Sequence, residues 1–345
     1  MPERLHKMVQ WCARAAVALF LVATVISLIF FKIGPESAWP IALLQYFPQL
    51  FLAPAIAAFA LSLTLGISWR LISLACLTAV VTITMGLEWN VGDQGARRTR
   101  LMTYNVKSYL AMNGPVGMWP VKFEIDRHDA DIIVLQDAGT LGTLLTATPD
   151  AARLLFGNRN LYSFGQYVVA SRYSMRLCSV GSISYRDQPH TYVRCVIDVN
   201  GVEVDLFTAH FLTPRDGLNA VRHQPLRGIQ EWKQNIADRM TQAKTLAQDL
   251  AAGARPIIVA GDLNAPEHSL VVQTLLRRGV RDAFSAAGKG FGYTYGHGLW
   301  PGLSFMRIDH VLVSPQIGVA DCFVGGAQAS THRAVIADLI IGDRR

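Results

Sequence analysis

Residues 256–264 read Pro256-Ile-Ile-Val-Ala-Gly-Asp-Leu-Asn264, an apolar run that ends in a glycine, an aspartate and an asparagine. A short apolar run between proline and glycine is typical of a buried strand. Carboxylate and amide side chains directly after such a strand lie at the edge of a sheet, where sheet proteins commonly place their sites. The stretch therefore predicts a buried strand that delivers Asp262 and Asn264 to a functional site.

Five further segments repeat this arrangement along the chain. Each places one polar side chain at the end of an apolar strand: Asn105 after Leu101-Met-Thr-Tyr, Asp137 after Asp131-Ile-Ile-Val-Leu-Gln, His210 after Val204-Asp-Leu-Phe-Thr-Ala, Asp309 within RIDHVLVS and His332 within STHRAV. Taken singly, each residue is most simply a turn residue or a structural hydrogen-bonding group. Six of them in one domain indicate a shared site.

The rest of residues 97–345 mixes strands with helices. Met175–Tyr185, Tyr192–Val199 and Val202–Ala209 alternate like strands of a half-covered hairpin. Gly228–Ala252 carries apolar residues at spacings of three and four, and Ser269–Arg278 stops at a glycine, so both are predicted helices. Helices and hairpins within one domain predict an α+β sandwich of sheets covered by helices.

The strings TYNV, DIIVLQD, TAHF, AGDLN, RIDHVLVS and STHRAV stand in this order between residues 98 and 345. They resemble the motifs of the endonuclease/exonuclease/phosphatase superfamily, which includes pancreatic deoxyribonuclease, neutral sphingomyelinases and inositol-polyphosphate phosphatases. The resemblance implies a deoxyribonuclease-like, four-layer α/β/β/α sandwich. It also implies hydrolysis of phosphoester bonds with a divalent metal, usually Mg²⁺, with Mn²⁺ or Ca²⁺ as alternatives.

The same resemblance implies catalytic roles for five residues. Asp262 would align or deprotonate the attacking water, and Asn264 would donate to a phosphoryl oxygen in the transition state. His332 would act as acid or electrostatic stabiliser while Asp309 fixes its tautomer. His210 would hydrogen-bond another phosphate oxygen.

The implied metal site departs from the family pattern. Asp137 stands where the family has a metal-binding glutamate, one methylene longer, and Asn105 would serve beside it as amide ligand or orienting group. Thr331 stands where an aspartate is usual. Both changes weaken the predicted metal site, which leaves a degenerate, non-catalytic phosphate-binding module as one alternative.

Four more residues are candidates for binding substrate. Arg307 and Arg333 flank site residues and are candidates for phosphate contacts. His297 and Trp300 lie in a glycine-rich loop, residues 290–302, that would shape substrate access.

The first 96 residues have a different composition. They hold five of the 32 Lys and Arg and four of the 25 Asp and Glu, and three uncharged stretches lie between them: Ala15–Phe31, Ser37–Trp69 and Leu71–Leu87. Tryptophans near their ends are typical of membrane interfaces. The pattern predicts a membrane domain, residues 1–96, with three transmembrane helices at about 12–31, 41–65 and 69–88, followed by a short linker and a catalytic domain, residues 97–345. A buried helical core or a cleaved signal peptide is the alternative.

Basic residues predict the orientation. Arg4, Lys7 and Arg14 favour a cytoplasmic amino terminus, so three crossings would place the catalytic domain outside the cytoplasm, whereas Arg97 and its neighbours argue the other way. We expect an integral protein of a bacterial inner membrane with an extracytoplasmic catalytic domain.

Composition excludes some classes of protein. A chain that is 51% hydrophobic and 17% charged cannot stay disordered. Five cysteines without a CxxC pair exclude a thiolate zinc site and a disulfide scaffold. Cys178 and Cys195 flank a turn and can pair in an oxidising compartment, although buried free thiols are the simpler interpretation.

The predicted anchor favours the lipid bilayer as partner and a phosphorylated lipid as substrate, such as a polyprenyl pyrophosphate or a phospholipid. The runner-up is a membrane-anchored nuclease acting on DNA, for which a net charge of +7 without a dense basic run is mild support. No obligate protein partner is expected.

Overall fold

The computed structural model of the protein describes residues 2–251, 253–299 and 302–342. The chain forms two compact units, Met1–Leu87 and Glu88–Arg345. Residues 88–96, which include the short linker predicted at 92–96, therefore belong to the second unit. Glu88–Trp89 pairs with Lys289–Gly290, and the backbone N–H of Asp93 donates to Val319 O at 2.7 Å, so this segment is bound to the domain.

The first unit is entirely helical. Its α-helices are α1 (Pro2–Ile33), α2 (Trp39–Leu44), α3 (Leu52–Ser62) and α4 (Ile67–Ala79). Short 3-10 turns lie at Pro35–Ser37 and Pro48–Phe51, and a π-helical turn at Val80–Thr84 extends α4.

Two helical segments are long and apolar enough to cross a membrane, Lys7–Ile33 and Ile67–Thr84. A signal sequence near the amino terminus has the same features as the first of them. The predicted middle crossing, 41–65, is broken: α2 ends at Leu44, and the following apolar helical stretch, Pro48–Ser62, is shorter than a full span. Pro48 explains the break, because proline lacks an N–H and disfavours helical backbone in the preceding residue, here Phe47 at φ −133°. The structure thus has two candidate spans where three were predicted.

The second unit contains two six-stranded sheets and a two-stranded ribbon. Its strands are β1 (Glu88–Trp89), β2 (Thr99–Asn105), β3 (Ile132–Gln136), β4 (Asn160–Phe164), β5 (Tyr167–Ser171), β6 (Ser174–Ser182), β7 (Thr191–Val199), β8 (Val202–His210), β9 (Ile257–Asp262), β10 (Arg281–Asp282), β11 (Lys289–Gly290), β12 (Asp309–Val313), β13 (Gly318–Val324) and β14 (Val335–Ile340). One sheet has the order β13-β14-β2-β3-β5-β4 and the other β10-β12-β9-β8-β7-β6. Within them β2–β3 and β8–β9 are parallel pairs, whereas the other neighbours are antiparallel.

Eight helices complete the second unit. They are α5 (Ser108–Asn113), α6 (Trp119–His128), α7 (Gly139–Ala147), α8 (Pro149–Phe156), α9 (Arg215–His223), α10 (Pro225–Leu250), α11 (Leu270–Leu276) and α12 (Ala283–Ala287). The long predicted helix at 228–252 corresponds to α10.

Three apolar clusters define the layers. The central cluster lies between the sheets and joins Leu101 and Val134 of one to Leu206 and Ile258 of the other. A second packs α6–α8 on the outer face of the first sheet, and a third packs α10 and α11 on the outer face of the second. Side chains alternate across each strand, so both faces of both sheets are covered. The predicted α+β sandwich is confirmed.

The β-strand register brings the predicted site residues to one edge. Asn105 pairs with Gln136, the residue before Asp137, in the first sheet. In the second sheet, Asp262 pairs with both His210 and Asp309.

Candidate active site

Asp262 is at the centre of the site. Asp262 is the last residue of β9, and it is 1% exposed. Oδ2 accepts a hydrogen bond from Asn105 Nδ2 at 2.8 Å and lies 3.4 Å from His210 Nε2 and 3.8 Å from His332 Nε2. Side chains from both sheets therefore converge on one carboxylate oxygen.

His332 is bound between two carboxylates. Its Nδ1 lies 3.0 Å from Asp309 Oδ2, so the tautomer with a proton on Nδ1 donates to Asp309 and directs Nε2 towards Asp262. The ring of Tyr295 packs against the imidazole at a centroid distance of 4.7 Å. This is the Asp–His arrangement that the sequence predicts.

His210 is oriented by a residue that the sequence analysis missed. Gln166 Oε1 lies 2.6 Å from His210 Nδ1, and the hydroxyl of Tyr167 accepts the backbone N–H of His210 at 3.0 Å. These contacts direct Nε2 towards Asp262. Gln166 stands in the turn between β4 and β5, outside every recognised motif, so only its contact in the fold reveals it.

Asn264 is held by the side chain of Asp262 and by a backbone carbonyl. Its N–H donates to Asp262 Oδ1 at 2.9 Å, and its Nδ2 donates to Phe211 O at 2.9 Å. These bonds fix its amide beside the Asp262 carboxylate, and its predicted contact with a phosphoryl oxygen stays a prediction.

Asp137 is engaged by Lys107, a second residue that the sequence analysis missed. Lys107 Nζ lies 2.7 Å from Asp137 Oδ2, and the Asp137 side chain is 39% exposed. Lys107 follows the TYNV motif directly, so its position beside Asn105 was the available signal. Lys107, Asp137 and Asn264 all have a left-handed backbone, with φ between 46° and 50°, a conformation that is uncommon outside glycine and clusters at functional sites.

The charges around Asp262 set its protonation state. Burial opposes ionisation, but His332, His210 and Lys107 outweigh it and lower the pKa of the Asp262 carboxyl. Burial also opposes protonation of His332, yet Asp309 and Asp262 outweigh it and raise the pKa of that imidazole. Burial lowers the pKa of His210 against the attraction of Asp262. The site thus favours an ionised Asp262 beside a protonated His332.

Three groups can share a cation. Ligand atoms of Asp262, Asp309 and His332 lie within 4.8 Å of one another. Two buried carboxylates with an amide oxygen nearby suit a hard divalent cation. Asp137, the predicted principal ligand, lies at the same edge but is paired with Lys107, so metal binding by Asp137 competes with that ion pair.

Arg307 is paired with two acidic residues, and its predicted phosphate contact stays a prediction. Its guanidinium pairs with Glu267 and donates to Asp282 Oδ1 at 2.8 Å. Asp282 also binds His310 Nδ1 at 2.7 Å. The Arg307 side chain is only 10% exposed, and its partners Asp282 and Glu267 are 1% and 27% exposed, so this arginine neutralises one buried and one partly buried carboxylate.

Two of the other predicted substrate-binding residues, Arg333 and His297, contact backbone carbonyl oxygens. Arg333 donates from Nε to Gly325 O at 2.8 Å, because neighbouring residues of an extended segment point to opposite sides and His332 takes the side of the site. His297 Nε2 lies 2.8 Å from Ser330 O, two residues from His332. Trp300 lies outside the described residues.

The sequence profile of the endonuclease/exonuclease/phosphatase family matches residues 102–332. The chain belongs to this family. Its members are hydrolases that act on phosphoester bonds, and they generally use divalent metal ions. The match includes Asp262 and the residues that surround it, from Asn105 to His332, and all strands of the two sheets except β14. No curated protein matches the chain in sequence.

Solved structures share the fold at low sequence identity. An endonuclease/exonuclease/phosphatase protein from Beutenbergia cavernae DSM 12333 is 18% identical, with a TM-score of 0.52 and 72% of each chain covered. A humanized D. rerio TDP2 is 14% identical, with a TM-score of 0.55, covering 70% of this chain and 99% of that one. A mannosyl-6-phosphatase of Bacteroides thetaiotaomicron VPI-5482 is 16% identical, with a TM-score of 0.51, covering 70% of this chain and all of that one.

Proposed function

We propose that the protein is a membrane-anchored, divalent-metal-dependent phosphoesterase that hydrolyses a lipid-linked phosphate or pyrophosphate. The observation that carries the hydrolase part is the convergence of Asn105, His210 and His332 on Asp262 Oδ2 within 3.8 Å. Phosphoryl transfer needs an oriented water, compensation of phosphate charge and a proton for the leaving oxygen. This cluster contains a group for each task.

The lowered pKa of Asp262 and the raised pKa of His332 divide these tasks. An ionised Asp262 orients the attacking water and accepts its proton. A protonated His332, held by Asp309, faces the phosphoryl group and compensates its negative charge. His210, held by Gln166, donates to a second phosphate oxygen.

The donor set fits the divalent cation that the family implies. Asp262 and Asp309 would hold it, with the Asn105 amide and Asp137 as further oxygen ligands, whereas the protonated His332 has no free ring nitrogen with which to coordinate it. When bound, such an ion supplies positive charge that polarises the phosphoryl oxygens. The identity of the metal, proposed as Mg²⁺, follows from the preponderance of oxygen ligands.

The lipid-linked substrate is proposed from the helices of the first unit. Lys7–Ile33 and Ile67–Thr84 are 17% buried over their most apolar windows, so most of their apolar surface needs a covering that the protein itself does not provide. A bilayer supplies that covering, and it also concentrates phosphorylated lipids near a protein embedded in it. An extracytoplasmic catalytic unit is supported by the bond between Cys178 and Cys195, because disulfides persist in oxidising compartments.

The test uses the full chain in detergent with Mg²⁺ and three substrates: a polyprenyl pyrophosphate, plasmid DNA and a generic phosphodiester. We expect hydrolysis of the lipid substrate, reduced about 10³-fold in Asp262→Asn. Asp126→Asn is the matched control, because Asp126 lies exposed on α6 and pairs with Lys122.

DNA is the main competing substrate, and D. rerio TDP2 has been solved with a single-strand DNA product. Nuclease activity that disappears in Asp262→Asn, without lipid hydrolysis, would replace the proposed substrate with DNA. Absence of activity towards all three compounds would favour a binding module, since Asp137 and Thr331 both weaken the metal site.

A further inference from the structure

A cavity of about 340 Å³ opens beside the catalytic cluster in the second unit. Its wall towards that cluster contains Lys107, Ser330 and Thr331. Lys107 binds Asp137, Ser330 Oγ donates to Asn105 O at 2.7 Å, and Thr331 precedes His332 in the chain. The cavity is therefore continuous with the site at which the phosphate would react.

Much of the remaining lining is apolar. α5 and the segment that leads into α6 contribute Leu110, Ala111, Val116 and Pro120, while Gln328 and His297 are the other polar side chains. Among the described residues that line the cavity, Lys107 is the one with a formal charge, and it lies at the end next to the cluster. The cavity is thus charged where it meets the cluster and largely apolar beyond it.

The apolar wall continues onto the surface. Leu110 is 57% exposed and Val116 58%, and in the same two helices Tyr109, Trp119 and Phe123 are each more than 60% exposed. Soluble domains rarely leave so many large apolar side chains exposed along one short segment without a ligand or partner. The cavity volume is near the lower end of the range for small-molecule sites, about 300–1,000 Å³. A long-chain ligand would therefore be enclosed only in part, and its remainder would lie on this apolar surface.

We propose that this cavity binds the apolar group esterified to the reacting phosphate, with Lys107 at the junction contacting the phosphate itself. The occupant is an acyl or isoprenoid chain of a phosphorylated lipid. The distribution of polarity favours this occupant: the end of the cavity with Lys107, which binds Asp137, and with Ser330 and Thr331 matches a phosphate, and the largely apolar remainder matches a hydrocarbon. A nucleic acid would present further phosphates to a wall of Leu110, Val116 and Pro120, which offers them no positive charge. This inference rests on the proposed phosphoesterase function and names the substrate group that the site selects.

The test measures binding and hydrolysis separately, with the full chain in nanodiscs and Mg²⁺. The probes are monoalkyl phosphates from ethyl to octyl, and affinity is measured by isothermal titration calorimetry. Each methylene that enters the cavity is expected to increase affinity by up to roughly fourfold, which corresponds to about 0.8 kcal/mol. A Leu110→Asp, Val116→Asp double variant is expected to remove this dependence on chain length while ethyl phosphate binds as before.

Two controls separate the cavity from general effects. Leu154→Asp adds one such carboxylate at a leucine of similar exposure, 54%, on α8, and should keep the chain-length dependence. A Leu110→Met, Val116→Ile variant restores apolar side chains and should restore the dependence. If the double variant does not fold, it will also lose ethyl phosphate binding. The alkyl phosphate series measured on the wild type and on the Leu110→Met, Val116→Ile variant then decides the result.

The outcomes distinguish the two proposals. Affinity that does not change with chain length in the wild type, together with hydrolysis that needs Asp262, would overturn the apolar binding site and leave the phosphoesterase function intact. Chain-length-dependent binding without hydrolysis would support the cavity and contradict the enzyme. Failure of all alkyl phosphates to bind, with cleavage of DNA, would overturn both.

Discussion

At the scale of single residues, the Lys107–Asp137 pair decides how the site binds a cation. The ammonium group lies 2.7 Å from the carboxylate that is expected to bind the metal, so the two cations compete for one ligand. Thr331 at the position before His332 also removes a carboxylate relative to the family pattern. The site therefore offers a cation less negative charge than a site with the full set of acids would.

Replacing Lys107 should strengthen metal binding. In Lys107→Met, Asp137 loses the ammonium group that competes with the metal. We expect the affinity for Mg²⁺ to rise about three- to fivefold, because a partly screened ion pair contributes at most about 1 kcal/mol. Isothermal titration calorimetry of the full chain measures it without reference to activity. Lys122→Met removes a similar Lys–Asp pair on α6 and should leave the affinity unchanged. Weaker binding in Lys107→Met would contradict the competition.

The Asp309–His332 pair should determine the basic limb of the pH profile. Asp309 and Asp262 raise the pKa of His332 against the effect of burial, so the protonated form persists to higher pH than for an ordinary histidine. If protonated His332 is needed, kcat falls as pH rises through this pKa. In Asp309→Asn we expect the fall to begin at lower pH, because one of the two stabilising charges is lost.

The measurement is log kcat against pH for both proteins. Asp249→Asn is the control, because Asp249 accepts a hydrogen bond from Tyr192 at a different place in the domain. A profile in Asp309→Asn that is lower at every pH but not displaced would show that Asp309 acts only on structure.

At the scale of elements, strands were easier to predict than the residues between them. The polar residues of PIIVAGDLN and the five similar segments do lie at one edge of the sandwich. An apolar run with a polar terminus has few other ways to be placed in a buried sheet. Gln166 and Lys107 were missed because a turn glutamine and a lysine after a motif acquire their significance only through contacts across the fold. The ion pairs of Arg307 were missed for the same reason: its partners Glu267 and Asp282 are distant in sequence, so no local pattern indicated them.

The segment between β9 and α11 should make stability depend on pH. His268 stands next to Glu267 in this segment, and burial, with Arg307 and His310, lowers its pKa to about 3. The unfolded chain binds a proton below about pH 6.5 whereas the folded chain does not until about pH 3. Stability is therefore fully present above pH 6.5 and decreases as pH falls towards 3.

Between pH 7 and pH 5 this histidine should contribute a loss of about 1–2 kcal/mol. In His268→Gln we expect a smaller decrease in melting temperature over that interval than in the wild type. Thermal unfolding followed by circular dichroism in detergent provides the comparison. Equal decreases in the two proteins would mean that His268 does not titrate on unfolding.

At the scale of the whole molecule, the number of membrane crossings determines which side the catalytic unit faces. The amino-terminal cations favour a cytoplasmic start, so two crossings return the chain to the cytoplasm and three place the catalytic unit outside. The structure has two full-length candidates and a broken apolar segment between them, α2 and α3 on either side of Pro48. The proposed outside location requires this broken segment to cross as well. Hydropathy alone did not reveal the break, because Pro48 changes the backbone without lowering the apolar content.

The state of Cys178 and Cys195 tests this location directly. The two residues are bonded between β6 and β7, whereas Cys12, Cys76 and Cys322 are free thiols. If the catalytic unit folds in an oxidising compartment, protein precipitated in acid and then denatured in the presence of an alkylating agent should carry three alkyl groups, and five after reduction. Alkaline phosphatase fused to the carboxyl terminus should be active. The double variant Cys178→Ser, Cys195→Ser should lose about 3 kcal/mol of stability, the effect expected for opening a loop whose ends are 17 residues apart. Five alkyl groups without reduction, together with an inactive fusion, would place the unit in the cytoplasm and make two crossings the correct topology.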